Sequence, residues 1–596
     1  MIASIGSPAA RWFACGLAFT LIYAGLQTAR YLMTPAIGHD YAYFLPYLLS
    51  NHYWLLNNGW SIPWVTPAHC AGIPYFANPQ SLFYSPVQMF MGLGLDPINA
   101  LAVQHVLLMG IGFVGMWLLA GRVSRRPELQ LLAAVLFVAN GFIASRLAVG
   151  HVSFSVWLLV PLICVLITVR GSLIAGVSAG VLAGVLLSSF VHMGAVVLIV
   201  PCALAMLVVV LWLGRLSVIN TLLAAVVALS LTAAKLTAMI AFMEQFPRDL
   251  YPLPGAESLS AGMLLLLQGL FWPPDASTMH VVNEIVKNRV FAFGADEFNY
   301  HIGMVPVLLM SVSAGWWWMK GLRKPDATPG ASLRLRTGGI AAILTLTVVV
   351  NVYAPGWHDV LQVLPYFETV SSAFRWFIIW MLPIILATVW ALGMLPVHFG
   401  RWLALGSLLF VVLLAEWHAP TPWQPYETET IVSGFRAAHA GEPVPTVRYL
   451  AESLVDGRRR YVTGAGDVLV EGGSQLVCNE PVFGYVLEHF RFDRVGQGPA
   501  RAMTQFGVNF YRPECFLYPE ENTCAAGTVF ESSTDPHLRA LLSYQAYPFE
   551  KPVAVVAAVL VSQVAIVAVL LLFLLVAGQW IWSRRTTDIS RDVNQG

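Results

Sequence analysis

The sequence predicts a polytopic α-helical membrane protein of about twelve transmembrane helices, with a small mixed α/β or β extracytoplasmic domain before the last helix. Hydrophobic residues make up 57% of the 596 residues and charged residues only 11%, whereas about a quarter of the residues of a soluble domain are charged. Apolar runs near the length of a membrane span recur along the chain. The formal net charge of +1 gives no indication of nucleic-acid binding.

The predicted spans follow from the length of the apolar runs, because a helix needs about 20 mostly apolar residues to cross a bilayer. The first run is expected to be retained as a span, since MIASIGSPAARWFACG contains no clear small-residue cleavage site. The predicted spans are 11–33, 99–121, 128–148, 153–170, 172–192, 194–214, 217–241, 301–320, 337–353, 376–396, 402–418 and 552–583.

Basic residues between the spans predict the orientation of the bundle. Lys and Arg are enriched in cytoplasmic loops, and here they fall on one side if both termini are cytoplasmic. The long segments 34–98, 242–300, 354–375 and 419–550 then face the exterior. The basic residues concerned are Arg122, Arg125, Arg126, Arg170, Arg215, Lys320, Arg323, Lys324, Arg334, Arg336, Arg401, Arg584 and Arg585.

The segment 419–550 differs in composition from the rest of the chain. It holds charges and short alternating runs such as RRYVTGAGDVLV, a pattern typical of strands. We therefore divide the chain into a membrane module (1–418), an extracytoplasmic domain (419–550) and a final helix with a cytoplasmic tail (551–596). No Walker or dinucleotide-type glycine motif is present, and the cytoplasmic connections are short, which argues against a soluble nucleotide-sugar donor.

The seven cysteines divide between the two environments. Three lie in apolar runs and are expected to be packing residues, and four face the oxidising side, where disulfides form. The local pair Cys515 and Cys524, in CFLYPEENTC, is the preferred disulfide, which leaves Cys70 and Cys478 as a second pair. No Cys/His spacing resembles a zinc site. The three cysteines in apolar runs are Cys15, Cys164 and Cys202.

Asp40 is the first acid of the chain and lies just after the first span, in GHDYAYFLPYLL. The residues that follow it predict a short helix along the membrane surface. One interpretation makes Asp40 the N-cap of that helix. The other makes it a carboxylate at the lipid–water boundary, where a lipid-borne electrophile would be presented. His39 is a candidate base, phosphate or metal contact, or a polar turn residue.

The first external segment continues with GWSIPWVTPAHCAGIPYFANPQSLFYSP, in which aromatic residues alternate with turn formers. Aromatic residues at this level are ordinarily interface anchors. Flat apolar faces combined with amide groups also suit a wall that binds a sugar. Asn78 and Gln80 are the expected polar contacts, beside Tyr43 and Trp64 as aromatic faces.

Several cations lie at the outer ends of predicted spans, against the positive-inside trend. Arg146 lies within span 3, where a charge costs about 2.5–3.5 kcal/mol at the membrane centre, so it is expected to have an anionic partner or to snorkel to the headgroups. His151 follows in the next turn. Together with Lys235, Arg375 and His192, these residues predict an anion-binding cavity.

Seven acids in the segment 242–300 are expected to be mostly solvated, although any of them is a candidate to assist Asp40 or to bind a divalent ion. They are Glu244, Asp249, Glu257, Asp275, Glu284, Asp296 and Glu297.

These motifs resemble the first outward loop of the GT-C superfamily of integral-membrane glycosyltransferases, and in particular its bacterial YfhO-like branch. The resemblance rests on GHDYAYFLPYL and IPWVTPAHCAGIPYFANPQSLFYSP, with SRLAVGH, FVHMG, EFNYHIGMVPVLLM and FETVSSAFRW, and covers roughly residues 10–400. It implies a bacterial cytoplasmic-membrane enzyme that transfers a sugar from a polyprenyl-phosphate carrier to an envelope glycan, lipid or protein.

Under this resemblance Asp40 is the general base. The donor phosphate is bound by Arg146, Lys235 and Arg375, with His151 and His192 beside them. Many relatives carry two neighbouring acids after the first span, whereas His39 stands here, so a divalent cation is left open as a cofactor. A segment such as 419–550 is not a hallmark of the superfamily.

Other functions remain open at this point. A transporter or flippase of lipid-linked sugars also needs many spans and buried cations, but it predicts broken spans in two related halves, which the sequence does not show. An envelope polysaccharide polymerase shares the outward chemistry. A scaffold role in envelope assembly is the third alternative.

Overall fold

The computed structural model describes residues 7–245, 252–275, 277–289, 292–320, 331–368, 370, 372–417, 425–451, 454–455, 458–459, 465–476 and 493–593. Helices dominate this part of the chain, and the strands are two or three residues long.

The helices are α1 (Pro8–Tyr31), α2 (Tyr41–Asn58), α3 (Pro86–Gly92), α4 (Pro97–Ala120), α5 (Pro127–Val138), α6 (Gly141–Val149), α7 (Val160–Ile167), α8 (Leu173–His192), α9 (Ile199–Leu213), α10 (Val218–Gln245), α11 (Leu259–Phe271), α12 (Met279–Ile285), α13 (Val305–Met319), α14 (Ala331–Val349), α15 (Pro355–Gln362), α16 (Pro365–Glu368), α17 (Met381–Gly393), α18 (Val397–Trp417), α19 (Glu429–His439), α20 (Glu514–Leu517), α21 (Asp535–Leu542) and α22 (Val553–Val593). Short 3-10 helices cover Val152–Leu159, Val196–Leu198, Ala295–Phe298, Ala373–Trp380, Ala465–Glu471 and Ser532–Thr534.

The chain is a multi-pass helical membrane protein. Within the described ranges, 10 helical stretches are long and apolar enough to cross a membrane. The predicted fourth and eighth spans correspond to shorter apolar helices, Val152–Ile167 and Val305–Met319. The count of twelve full-length spans is therefore too high by length alone, because these two stretches end early. A further apolar helix, α11, lies in a segment predicted to be an external loop.

The membrane bundle is organised around α5, which is buried along its length against α1, α4, α17 and α18. The span that contains α5 continues into α6, where Asn140 caps the new helix by accepting a hydrogen bond from the backbone N–H of Ile143. On another side of the bundle, α10 packs against α8 and α22. The last helix therefore contributes a wall of its own to the bundle.

The strands are β1 (Ala36–Ile37), β2 (Val65–Thr66), β3 (Ile73–Pro74), β4 (Gly255–Ala256), β5 (Val286–Lys287), β6 (Tyr426–Glu427), β7 (Tyr449–Ala451), β8 (Leu454–Val455), β9 (Arg458–Arg459), β10 (Gly473–Gln475), β11 (Gly498–Pro499), β12 (Met503–Thr504) and β13 (Gly507–Val508). The three-stranded sheet has the order β10-β7-β11, with β10 parallel and β11 antiparallel to β7. The other strands form antiparallel pairs: β1-β6, β2-β3, β4-β5, β8-β9 and β12-β13.

The segment 34–98 and the segment 419–550 share one hydrophobic core. Leu45 of α2 and Ile73 are buried in the same cluster as Ile431 and Phe510, and β1 pairs with β6 across the two segments. Helix α2 was expected to be short and to lie along the membrane surface. It spans 18 residues and is buried in this core, because its aromatic and aliphatic residues find partners in the C-terminal segment.

The cysteines agree in part with the prediction that external cysteines form disulfides and that cysteines in apolar runs are packing residues. Cys515 and Cys524 form a disulfide. Cys70 is also disulfide-bonded, while Cys478, its expected partner, lies outside the described residues. Of the cysteines in apolar runs, Cys164 and Cys202 are buried and Cys15 is exposed, so Cys15 is not a packing residue inside the bundle. In the described structure 22% of the Pro8–Tyr31 span is buried, and α1 packs against α4 and α5.

Candidate functional site

Two glycines bring the segment around Asp40 onto the turn after α6. Gly150 ends α6 with a φ of 111°, in the left-handed region that favours glycine. A Cβ at Gly150 would lie 2.7 Å from the backbone nitrogen of Tyr41, and one at Gly38 would overlap the carbonyl oxygen of Val149. The backbone N–H of Asp40 donates to that same carbonyl at 3.1 Å. Close backbone packing therefore fixes the position of Asp40.

The Asp40 side chain does not cap its helix. Asp40 occupies the N-cap position of α2, yet its carboxylate makes no capping hydrogen bond. Its Oδ2 instead pairs with Nε2 of His151, and its Oδ1 lies 3.4 Å from Nε2 of His39. The Asp40 side chain remains 31% exposed. This geometry disfavours the N-cap interpretation, since a capping carboxylate accepts a backbone N–H from the first turn.

The tautomer of His151 follows from its two partners. Nη1 of Arg146 lies 2.6 Å from Nδ1 of His151. A guanidinium has only donors, so Nδ1 must accept and Nε2 must carry the imidazole proton. That proton points to Oδ2 of Asp40. Arg146 thus holds His151 in the orientation in which Nε2 donates to Asp40.

Arg146 and Arg375 share a buried carboxylate. Glu297 Oε1 accepts from Arg146 Nη1 at 3.3 Å and from Arg375 Nη2 at 2.8 Å, while Oε2 accepts from Arg146 Nη2 at 3.4 Å and Arg375 Nε at 3.2 Å. Asp296 Oδ2 also lies 3.1 Å from Arg146 Nη1. Both guanidinium groups pack over the ring of Phe154, at 4.8 and 5.2 Å. Arg146 is 1% exposed, so it is paired internally and does not snorkel to the membrane surface.

The charge in this group of residues is nearly balanced. We call the group the Asp40 cluster; it consists of Asp40, Arg146, His151, Asp296, Glu297 and Arg375. Burial by itself raises the pKa of the Asp40 carboxyl, but His151, His39 and Arg146 outweigh burial and place that pKa below its ordinary value.

Burial likewise raises the pKa of Glu297, and the two arginines bring it well below its ordinary value. The cluster places three carboxyl groups against two guanidinium groups.

The donor types, but not their arrangement, suit a divalent cation. One ligand atom each from His151, Asp296 and Glu297 lies within 4.8 Å of the others, and carboxylate oxygens are the ligands that hard cations prefer. In this arrangement Nδ1 of His151 and both oxygens of Glu297 already accept hydrogen bonds from arginine. The three residues therefore do not present a free ligand set, and we assign no step to a metal.

The structure divides the predicted cations between two places. Arg146, His151 and Arg375 belong to the Asp40 cluster. Lys235 and His192 line a separate cavity of about 910 Å³ whose lining does not include Asp40. The expectation of one anion-binding cavity is therefore wrong for these two residues. Sequence position gives the depth of a residue in the membrane, whereas the direction of its side chain depends on helix packing.

The residues expected to contact sugar also fall into two groups. Asn78 Nδ2 donates to the hydroxyl of Tyr43 at 3.3 Å, and Oδ1 of Asn78 accepts from the backbone N–H of Gln80 at 2.8 Å. Asn78 is buried, so its amide primarily organises the loop. Trp64 lines the cavity that contains Lys235. Five residues were expected to bind sugar or acceptor: His39, Tyr43, Trp64, Asn78 and Gln80. In the described structure, only His39 forms an ion pair with the Asp40 carboxylate.

Sequence reasoning did not single out Asp296 and Glu297 among the seven acids of the segment 242–300. The available signal was their position as an acidic pair in the block ADEFNYHIGMVP, directly before the apolar run of α13. An acid that close to a buried run is a candidate partner for a membrane-embedded arginine. The roles of Gly38 and Gly150 were also missed, although both precede a histidine in the sequence.

Comparison with known proteins gives weak likenesses only. Neither a protein-family model nor a curated protein sequence matches the chain. Among solved structures, arabinofuranosyltransferase AftD from mycobacteria matches 76% of the chain with 16% identity and a TM-score of 0.39. The oligosaccharyltransferase of Archaeoglobus fulgidus, in complex with zinc and sulfate, matches 71% with 13% identity and a TM-score of 0.31.

The chain spans 31% of the length of the first of these proteins and 56% of the second. At these TM-scores the likeness assigns no activity. The function proposed for the chain therefore rests on its own residues.

Proposed function

We propose that the chain is a GT-C-type membrane glycosyltransferase. It transfers a sugar from a polyprenyl-phosphate carrier to an envelope glycan, lipid or protein acceptor at the outer face of the bacterial cytoplasmic membrane. Asp40 takes the proton of the acceptor hydroxyl, the acceptor oxygen bonds to the anomeric carbon, and the sugar–phosphate bond breaks with inversion. The proton ends on Asp40 and the electron pair on the departing phosphate.

One observation carries this proposal: Asp40 stands at a helix N-terminus without capping it and is oriented by a histidine that is itself held by a buried arginine. A carboxylate that serves only a helix end needs no such support. A general base needs ionisation at the working pH and a fixed direction. The lowered pKa of Asp40 supplies the first, and the donor proton of His151 supplies the second.

His151 is a less suitable base than Asp40. Its Nδ1 faces the guanidinium of Arg146 at 2.6 Å, so a proton added there would face another donor. Its Nε2 already carries the proton directed at Asp40. We therefore assign His151 and Arg146 as positioning residues for the Asp40 carboxylate.

The departing phosphate is assigned to the arginines of the Asp40 cluster. Arg146 and Arg375 are the two guanidinium groups of the Asp40 cluster, and positive charge stabilises the phosphate as it departs. Both are already paired with Glu297, so a phosphate has to compete with that carboxylate for their N–H groups. Arg375 is the better candidate, since Arg146 also contacts His151 and Asp296.

The test is complementation of a strain that lacks the gene, with the envelope glycans profiled by mass spectrometry. Asp40→Asn keeps the size of the side chain and removes the base, so the rate of sugar transfer should fall by about 10²–10⁴-fold. The variant should still accumulate in the membrane, because Asp40 makes no capping bond. A normal glycan profile from Asp40→Asn would refute the assignment of the base.

Asp96→Asn is the matched control, because Asp96 is an aspartate that does cap a helix. Its Oδ1 accepts from the backbone N–H of Asn99 at 3.0 Å at the start of α4. The change should cost at most about 1 kcal/mol of stability and leave the glycan profile intact. If deletion of the gene instead causes an intact lipid-linked sugar to accumulate on the cytoplasmic side, a flippase replaces the proposed enzyme.

A further inference from the structure

A cavity of about 910 Å³ lies between loop residues and the ends of three membrane helices. This volume falls near the upper end of the range of about 300–1,000 Å³ found for small-molecule sites. Helices α8, α10 and α22 line it together with aromatic residues of the segment 34–98 and residues 546–551. The Asp40 carboxylate is not part of its lining.

Apolar side chains of the three helices form part of the lining, and this part reaches the lipid-facing surface. Val185 of α8, Leu231 of α10, and Val559 and Ile566 of α22 belong to it. Ile566 is 49% exposed on the bundle surface, so the cavity reaches the face that lipid covers. A hydrocarbon chain entering from the bilayer would exchange lipid contacts for contacts with these side chains.

The lining of the cavity also carries positive charge. It includes Lys235 and Lys551, and no acidic residue lines the cavity in the described part of the chain. The two lysines flank an aromatic pair: Lys235 Nζ lies 5.7 Å from the Phe76 ring, Lys551 Nζ lies 5.4 Å from the Trp64 ring, and the two rings are 5.5 Å apart. The cavity therefore joins an apolar slot to a cationic, aromatic headgroup region.

Lys235 has hydrogen-bonding capacity that the protein does not use. Its Nζ donates to the carbonyl oxygen of Ser81 at 2.8 Å and to the hydroxyl of Ser81 at 2.6 Å. An ammonium group has three donors, and the side chain is 2% exposed without a carboxylate partner among the ion pairs of the described residues. In the same lining, Nδ1 of His192 is buried and makes no hydrogen bond within the described structure. Burying an ammonium without a counter-ion is costly, and a bound anion would offset that cost.

We infer that this cavity binds an anionic membrane lipid. Its phosphate-bearing headgroup lies over Trp64 and Phe76 between Lys235 and Lys551, and its hydrocarbon chain runs between α8, α10 and α22. A polyprenyl phosphate and an acidic glycerophospholipid share this chemistry. The site stands independently of glycosyl transfer by the Asp40 cluster, since it shares none of the side chains of that cluster.

The experiment measures binding of defined lipids to the purified full-length chain in a neutral detergent, with native mass spectrometry. The probes are a short-chain polyprenyl phosphate, phosphatidylglycerol, phosphatidylcholine and inorganic phosphate. We expect one of the two anionic lipids to bind, and the one that binds more tightly identifies the source of the ligand. Binding of phosphatidylcholine as tight as that of both anionic lipids, or binding of inorganic phosphate alone, would overturn the inference.

Variants locate the binding. Lys551→Met is at the edge of the cavity and should weaken binding of the anionic lipid by about ten-fold, the loss of one charge-assisted contact. Lys235→Met should do the same if it folds. Lys287→Met is the control, because Lys287 forms an exposed ion pair with Glu257 outside the cavity. Ile566→Trp places a larger side chain in the apolar part of the cavity and should also weaken binding. If both Lys551→Met and Ile566→Trp bind the anionic lipid as tightly as the unaltered protein, the lipid binds elsewhere.

Asp40→Asn separates this inference from the proposed function. The variant should bind the anionic lipid with unchanged affinity, whether or not it transfers sugar. Loss of lipid binding in Asp40→Asn, with the protein folded, would show that the two sites are one and would overturn the independent site.

Discussion

Replacing Glu297 by glutamine should be among the most destabilising conservative changes available in this chain. The carboxylate accepts four hydrogen bonds, two on each oxygen, from Arg146 and Arg375. Glutamine keeps the shape but turns one acceptor oxygen into an NH₂ group that faces the N–H groups of the arginines. Two buried guanidinium groups then lose their shared counter-ion.

The magnitude follows from the burial of the partners. Removing one member of a buried ion pair costs about 3–5 kcal/mol, because the remaining charge is left uncompensated. The side chains of Arg146, Glu297 and Arg375 are 2%, 12% and 16% exposed, so solvent screens them little. Asp296 still contacts Arg146, which places the expected loss for Glu297→Gln near the lower end, at about 3 kcal/mol.

The assay is unfolding of the purified protein in mixed micelles by titration with a denaturing detergent. Glu257→Gln is the matched control in the same segment, since Glu257 pairs with Lys287 at 3.1 Å with side chains 44% and 46% exposed. An exposed pair of this kind contributes about 0–1 kcal/mol. Adding Arg375→Met to Glu297→Gln should recover part of the loss, because it removes one of the unpaired charges.

Equal and small effects of Glu297→Gln and Glu257→Gln would refute this reasoning. That result would mean that water or headgroups reach Arg146 and Arg375 and replace the carboxylate. A double variant less stable than Glu297→Gln alone would also contradict it, since packing of Arg375 over Phe154 would then outweigh its charge.

Two further predictions concern the support of Asp40. Gly150→Ala forces a side chain onto a residue with a φ of 111° and within 2.7 Å of the Tyr41 nitrogen, so we expect a loss of about 1–3 kcal/mol and about 10²-fold slower transfer from a displaced Asp40. Gly25→Ala, with no atom near the added methyl group, should leave both stability and rate unchanged, and a tolerated Gly150→Ala would show that the close approach is not needed. His151→Ala removes the main group that lowers the pKa of Asp40 below 3.8, so that pKa rises. Because the base is active only when ionised, the acid limb of the pH–rate profile should move to higher pH in His151→Ala; an unmoved limb would contradict the role of His151.

The sequence was sufficient to predict a multi-pass helical membrane protein and to draw attention to Asp40 and Arg146. An apolar run long enough to cross a bilayer indicates a transmembrane helix, because a backbone in lipid must satisfy its own hydrogen bonds. This requirement depends only on the segment itself. The same argument made Arg146 a residue that needs an anionic partner, which the structure identifies as Glu297 and Asp296. The position of Asp40 directly after the first span was likewise readable from the chain.

The partners themselves were decided by tertiary structure. Seven acids between residues 242 and 300 were equal candidates in the sequence, and only packing of the 3-10 helix Ala295–Phe298 beside α6 selects Glu297. The sequence placed Lys235 in the same cavity as Asp40, because hydropathy indicates how deep a residue lies in the membrane but not the direction of its side chain. Helix α10 packs against α8 and α22 instead, and the Lys235 side chain therefore lines a second cavity.

The amino-acid sequence by itself determined that this chain crosses a membrane many times, and that an acid and several costly cations lie near one end of the spans. Both properties depend on the transfer of single segments between water and lipid, which each segment's own composition sets. Which charges meet, and how many sites they form, depended on contacts between distant residues, such as Arg146 and Glu297, which are 151 residues apart in the sequence. Such contacts arise from how helices pack, and no local pattern encodes them.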